Sequence, residues 1–129
     1  CQLAANIMIP NGGGKIINIA SMMSFFGGIT IPAYAASKGG VAQLSKCLSN
    51  DWAAKGITVN AIAPGYMDTQ LNVALINDPV RNAEALNRIP MKRWGIGADL
   101  KGLTVFLASP ASDYISGTVI PVDGGYLAR

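Results

Sequence analysis

Apolar positions along this chain recur with two different periods, and the points where the period changes divide it into elements. The run KIINIA, Lys15 to Ala20, is short, β-branched, apolar on both faces and preceded by a glycine turn, which predicts a buried parallel strand. From about Ala33 to Lys55 the spacing becomes three and four, and Val41, Leu44, Leu48 and Trp52 form one apolar face of a long helix closed by Gly56. A second strand is predicted from Ile57 to roughly Ala63, ended by Pro64-Gly65. Met67 to Ile89 is rich in Asn and Asp and reads as irregular or weakly helical. Asp99 to Ala108, apolar at positions 100, 103, 106 and 107, reads as helix, and Thr118 to Val122 as the last strand, with Asp123-Gly124-Gly125 turning the chain. The opening CQLAANIMIP lacks an initiator methionine and reads as the last turns of an amphipathic helix already in progress, so a fragment, a processed product or an incomplete chain is expected.

Strand, helix, strand, helix, strand with crossovers of this length implies an α/β class, a parallel sheet of three strands covered by helices. KIINIA is apolar on both faces and suits an interior position, so a further partner is expected at its free edge.

Composition narrows the function more by exclusion than by suggestion. The 129 residues, half of them hydrophobic, suffice for one domain or part of one. A net charge of +3 arises from cations scattered singly, not from a basic run interleaved with aromatics, so no nucleic-acid partner is expected. No apolar run approaches the roughly 18 residues of a membrane span, and a soluble, cytoplasmic protein without a membrane partner is the expectation. Cys1 and Cys47 cannot build a disulfide framework; both read as reduced thiols, with Cys47 packed in the core or on a helix. The absence of histidine excludes Ser-His-Asp and Cys-His catalysis and the common zinc sites, and no metal is expected.

Candidate chemistry then concentrates between Ser21 and Gly40, SMMSFFGGITIPAYAASKGG. Ser21 follows the first strand, and Pro64-Gly65 the second, so both belong to the rim where open parallel sheets gather reactive groups. Tyr34 and Lys38, four apart in the first turns of the long helix, share one face. A lysine cation beside a phenol favours the phenolate and brings tyrosine toward useful acid-base chemistry, while a serine hydroxyl can stabilise charge developing on a substrate oxygen. These roles suit carbonyl reduction or alcohol oxidation. The same three residues also fit a tyrosine at a helix start, a solvated lysine and a serine ending a strand, and the spacing alone leaves both readings open.

Three segments in order, NIASMMS…AYAASKGG, GITVNAIAPGYMDT and FLASPASDYISGTVIPVDGG, resemble the carboxyl-terminal half of the short-chain dehydrogenases/reductases, over about Gly14 to Gly125. The resemblance implies that residues 1–129 are a single partial domain, the catalytic half of a doubly wound Rossmann-type NAD(P)-binding fold. Ser21, Tyr34 and Lys38 would then be the catalytic serine, tyrosine and lysine. Tyr34, Lys38, Pro64, Gly65, Met67 and Thr69 would contact NAD or NADP, and Met67 to Ile89 would form a substrate lid. It also implies a homotetramer. The glycine-rich dinucleotide turn, the residue choosing NAD or NADP and the catalytic asparagine have no counterpart in these 129 residues. NGGGK, 11 to 15, is no substitute, since it precedes a strand and reads as a helix-to-strand turn.

RIPMKRWG and DGGYLAR resemble most the members acting on sugar acids such as a deoxy-gluconate. The expected reaction is therefore the NAD(P)-dependent interconversion of a secondary alcohol and a ketone on such a small-molecule substrate. The alternatives are a 3-oxoacyl thioester substrate, or an inactive half-domain that only self-associates. Arg88, Lys92 and Arg93 could clamp a substrate carboxylate but read first as solvated charges, and Met22, Met23, Phe25 and Phe26 read first as core or subunit contacts. Asp123 reads as a turn former, and Trp52 and Trp94 as packing residues.

Overall fold

The structure is a computed structural model and describes residues 1–128. Three parallel strands, β1 (Gly14–Ile19), β2 (Ile57–Pro64) and β3 (Val119–Val122), form one sheet in the order β1-β2-β3. The helices are α1 (Gln2–Met8), α2 (Pro32–Trp52), α3 (Val73–Ile76), α4 (Pro79–Arg88) and α5 (Gly97–Ala108). Strands and crossover helices lie within a few residues of where the hydrophobic pattern puts them.

β2 is the interior strand, and it is the most deeply buried. Ile57, Val59, Ala61, Ile62 and Ala63 are fully covered, as parallel pairing on both edges and helices on the faces require. Trp52 and Leu48 pack with Ile16, Ile57 and Val59, and Val41 packs with Ala20, Ala61 and Ala63. α5 lies against β1 and β2. Asn60, buried within β2, donates from Nδ2 to the Ile115 carbonyl at 2.8 Å and accepts the Thr118 N–H at 3.2 Å, which ties β2 to the segment leading into β3. β1 pairs only with β2 among the described residues, and its last residue, Ile19, is 53% exposed.

Three readings of the sequence are corrected. Of the expected face of α2, Trp52 is buried and Val41 and Leu48 pack partly buried on the core, but Leu44 is exposed, and the fully buried positions beside them are Ala42, Ser45 and Ser49. Small hydroxyl residues win this face because they are bonded. Asn18 donates to Ser45 Oγ at 2.9 Å, and Ser49 and Ser116 share a 2.6 Å hydroxyl contact. Cys47 is exposed rather than packed, since it lies off that face. The stretch read as irregular or weakly helical contains a regular helix, α4, started by Asp78, whose Oδ1 accepts the N–H groups of Val80 and Arg81, and by Pro79 at its first turn.

The turns behave as read. Gly12 and Gly13 take φ of 90° and 114° between helix and strand, and a Cβ on Gly13 would fall 2.1 Å from the Gly56 carbonyl oxygen. Asp123 accepts the Gly125 and Leu127 N–H groups at 2.9 Å each. No helix among the described residues is long and apolar enough to cross a membrane.

Candidate active site

Ser21 lies immediately beyond β1, where Ala20 N–H still donates to the Ile62 carbonyl at 2.8 Å, so the serine leaves the sheet at its carboxyl-terminal rim. It caps a short turn, Met22–Ser24. Its Oγ accepts the Met23 N–H at 3.2 Å, and its own N–H donates to Ser24 Oγ at 3.3 Å. Ser24 Oγ in turn donates to the Lys38 carbonyl at 2.7 Å, so one hydroxyl links the serine turn to the first turns of α2. Ser21 is buried, and among the described residues its hydroxyl hydrogen has no acceptor, which leaves it available to a substrate oxygen.

The loop from Phe25 to Ile31 reverses the chain and Pro32 starts α2, its fixed φ suiting the first helical turn. Tyr34 is 40% exposed, and its phenol has no hydrogen-bond partner among the described residues. Lys38, one turn on, donates from Nζ to the Ile19 carbonyl at 2.8 Å, and this nitrogen lies 5.9 Å from the centre of the Tyr34 ring. An ammonium carries three N–H groups, and this one spends a single group on the end of β1. No carboxylate pairs with it among the described residues.

Ser21, Tyr34 and Gly65 line one cleft of about 310 Å³, together with Met22, Met23, Ile31, Tyr66, Leu71 and Asn72. Gly65 has room for no side chain. A Cβ there would sit 2.7 Å from Asp123 Cα, and its N–H donates to the Val122 carbonyl at 3.0 Å. The backbone beyond β2 therefore runs close against the turn that ends β3, and it forms the floor of the cleft.

The other sequence candidates lie apart from this cleft. Pro64 ends β2 in register with Val122. Met67 is buried, bridges to Gly95 in parallel fashion, and lines a separate cavity of about 350 Å³ with Tyr66, Gly95 and Asp123. Thr69 is exposed at the start of a short turn, where its carbonyl accepts the Asn72 N–H at 2.9 Å. The Met and Phe cluster divides. Met22 and Met23 belong to a core cluster with Ile89 and Tyr126 and also wall the cleft, Phe26 stacks on Tyr126 at 5.7 Å, and Phe25 is half exposed.

Residues the sequence reading passed over are Ser24, Tyr66, Leu71 and Asn72. Tyr66 stands inside the quoted PGYMDT segment, and its ring meets Trp94 and Tyr126 edge-on at 5.2 and 5.6 Å. Burial pushes the Tyr126 phenol up, with Tyr66 adding to the effect and the Arg88 cation opposing it. Ser24 and Asn72 carry no sequence signal of their own; their roles depend on where the chain folds back.

Residues 1–127 match the family described as Enoyl-(Acyl carrier protein) reductase. The chain is 56% identical over 128 residues to 2-dehydro-3-deoxy-D-gluconate 5-dehydrogenase of Bacillus subtilis (strain 168), covering 99% of this chain and 50% of the relative. It is 57% identical over 129 residues to the protein of the same name from Escherichia coli (strain K12), covering 99% of this chain and 51% of that one. A gluconate 5-dehydrogenase from Burkholderia cenocepacia J2315, solved in complex with NADP and tartrate, superposes with a TM-score of 0.97 at 45% identity, over 99% of this chain and 50% of that one. The chain spans about half the length of the curated relatives it matches.

Proposed function

The chain belongs to the short-chain dehydrogenase/reductase family, and from that premise we propose that it is the catalytic half of an NAD(P)-dependent oxidoreductase that interconverts a secondary alcohol and a ketone on a sugar acid such as a deoxy-gluconate. The observation that carries the proposal is the convergence of Ser21 and Tyr34 on one cleft floored by Gly65, with Lys38 Nζ 5.9 Å from the Tyr34 ring. The relatives named for deoxy-gluconate chemistry support the substrate class.

In this reading the Ser21 hydroxyl holds the substrate oxygen, and the Tyr34 phenol gives that oxygen a proton in reduction and takes it back in oxidation. Ser21 is set for its part because its oxygen is fixed by the Met23 N–H while its hydrogen is unspent. Lys38 Nζ, 5.9 Å from the centre of the Tyr34 ring and fixed on the Ile19 carbonyl, puts a cation near the group that exchanges the proton. The donor set fits a nicotinamide dinucleotide, since Lys38 has two N–H groups left for ribose hydroxyls and the backbone at Pro64 and Gly65 presents no bulk to a flat ring. Met67 and Thr69 enter the proposed cofactor contacts through the family resemblance, since both lie apart from the cleft. When bound, the nicotinamide supplies or accepts the hydride. A homo-oligomer is part of the same proposal, as the family resemblance implies.

The test is Tyr34→Phe in the complete gene product, assayed by NADH and NADPH oxidation over a panel of keto-sugar acids and 3-oxoacyl thioesters. Loss of the acid should lower kcat about 10³-fold on a keto-sugar acid while the fold is retained. Wild-type rates in the variant would refute the assignment of Tyr34, and turnover restricted to thioesters would refute the substrate class.

A further inference from the structure

The segment 88–93 carries three cations, and the structure separates them. Arg93 donates from Nη1 and Nη2 to the two oxygens of Asp99 at 2.8 Å each, a bidentate pair that leaves it little for a ligand. Lys92, in the turn beyond α4, reaches back to the end of that helix and donates from Nζ to the carbonyls of Leu86 and Asn87 at 3.4 and 3.1 Å. Arg88 differs from both. It makes no ion pair or hydrogen bond among the described residues, and its guanidinium lies 4.4 Å from the centre of the Tyr126 ring.

That ring is 3% exposed and is itself fixed, stacked on Phe26 and met edge-on by Tyr66. A guanidinium resting on a rigid aromatic face is held in place while its N–H edge stays open. Arg88 lines a cavity of about 330 Å³ with Met23, Ile31 and Tyr66, and these same three residues also wall the cleft that holds Ser21 and Tyr34. The two spaces therefore adjoin. Glu84, one turn earlier on α4, and Arg81 share the Arg88 cavity wall, and neither is in an ion pair.

We infer that Arg88, held against Tyr126, binds the carboxylate of the substrate and so orients the far end of the molecule toward Ser21 and Tyr34. The inference rests on the sugar-acid reading above and names the residue that would enforce it. The planar fork of arginine matches a carboxylate in bidentate fashion, which an ammonium does not. A charge at the last residue of α4 also suits the helix dipole, so the test must separate ligand binding from helix stability.

The experiment uses the complete gene product, the best keto-sugar acid of the panel and the carboxamide of that acid, which keeps the skeleton and removes the charge. Arg88→Met should raise KM for the acid about 10- to 100-fold with kcat nearly unchanged, and leave the carboxamide within about twofold. Arg88→Lys, which keeps the charge at the helix end and over the ring, should fall between wild type and Arg88→Met on the acid and match wild type on the carboxamide. If Arg88→Met does not fold, Arg88→Lys alone decides by that same acid-specific loss. An unchanged KM for the acid, or equal losses on acid and carboxamide, would overturn the inference while leaving the proposed reaction standing. A wild-type enzyme that reduces no keto-sugar acid would overturn both.

Discussion

On one side of the cleft, Ser21, Met22 and Met23 are buried, and the turn they form is tied to β1 and α2 by the Ser21–Ser24–Lys38 hydrogen bonds and by Lys38 Nζ on the Ile19 carbonyl. On the other side, Leu71 and Asn72 belong to a stretch, 69–88, in which Ala85 alone is buried and Leu71 and Val80 are 81% and 67% exposed. That wall is anchored at a few points, where Asn72 Nδ2 donates to the Met67 carbonyl and Trp94 Nε1 to Asn82 Oδ1, both at 2.8 Å. Opening free energy follows buried contact and protected hydrogen bonds, so the two walls should differ in local stability. The wall proposed for proton chemistry should open only by disturbing the end of β1, whereas the wall that would meet the substrate, tied to the core mainly through Ala85 and Arg88 on Tyr126, should open without disturbing the sheet. A site that must hold reacting groups rigidly yet admit a polar substrate has reason to be built this way.

The largest effect that would break this contrast comes from Ser24→Ala. The substitution removes the acceptor for Ser21 N–H and the donor to the Lys38 carbonyl, and it should cost about 2 kcal/mol in chemical denaturation. Turnover should fall with stability, because the same hydroxyl positions both Ser21 and Lys38. If Ser24→Ala unfolded at the wild-type denaturant midpoint, the first wall would be no better anchored than the second.

A smaller effect is expected from Asp78→Ala, on the second wall. Asp78 Oδ1 accepts two N–H groups at the start of α4, and loss of such a cap is worth about 1 kcal/mol. If α4 opens by itself, the loss appears locally. Hydrogen exchange of the Asn82 and Ile89 amides, which bond the Asp78 and Ala85 carbonyls, should quicken about fivefold while the Ala20 amide, bonded into the sheet, is unaffected. Equal acceleration at Ala20 would mean that the two walls unfold as one unit.

The same contrast explains what could be read from the sequence. β1, β2, α2 and α5 were legible because burial imposes a period on the residues that face the sheet, and Ser21 and Gly65 were legible as the residues that follow strands. The small residues that α2 buries, Ala42, Ser45 and Ser49, were not, because the serine hydroxyls are satisfied by partners far away in the chain, and hydrophobic spacing is silent about that. α4 was read only as part of an irregular or weakly helical stretch although Asp78-Pro79 is a local start signal, and Ala85 is its one buried residue. Arg88, Lys92 and Arg93 are alike in sequence. Their separate fates are decided by Tyr126, by the Leu86 and Asn87 carbonyls and by Asp99, and only the folded chain brings these together.

The weakest expected effect lies where the second wall returns to the body of the protein. Asp99, in the first turn of α5, accepts both nitrogens of Arg93 and the Ile96 N–H at 2.8 Å. The Arg93 hydrogen bond first, and the Ile96 N–H next, hold its carboxyl at about 2, below the ordinary 3.8. A carboxyl whose pKa is lower folded than unfolded contributes stability above the unfolded value, and that contribution is lost as pH falls from about 4 through 2. Wild type should therefore exceed Asp99→Asn in denaturant midpoint at neutral pH, and the margin should shrink below about pH 4 and with added salt, since the pair is open to solvent. If the loop held by Arg93 and Asp99 is what joins the second wall to α5, the variant should also speed exchange at Gly95, whose N–H donates to the Tyr66 carbonyl, without touching the Ala20 amide. A margin that persisted undiminished to pH 2 would assign the difference to the helix start itself and leave the ion pair no part in holding that wall.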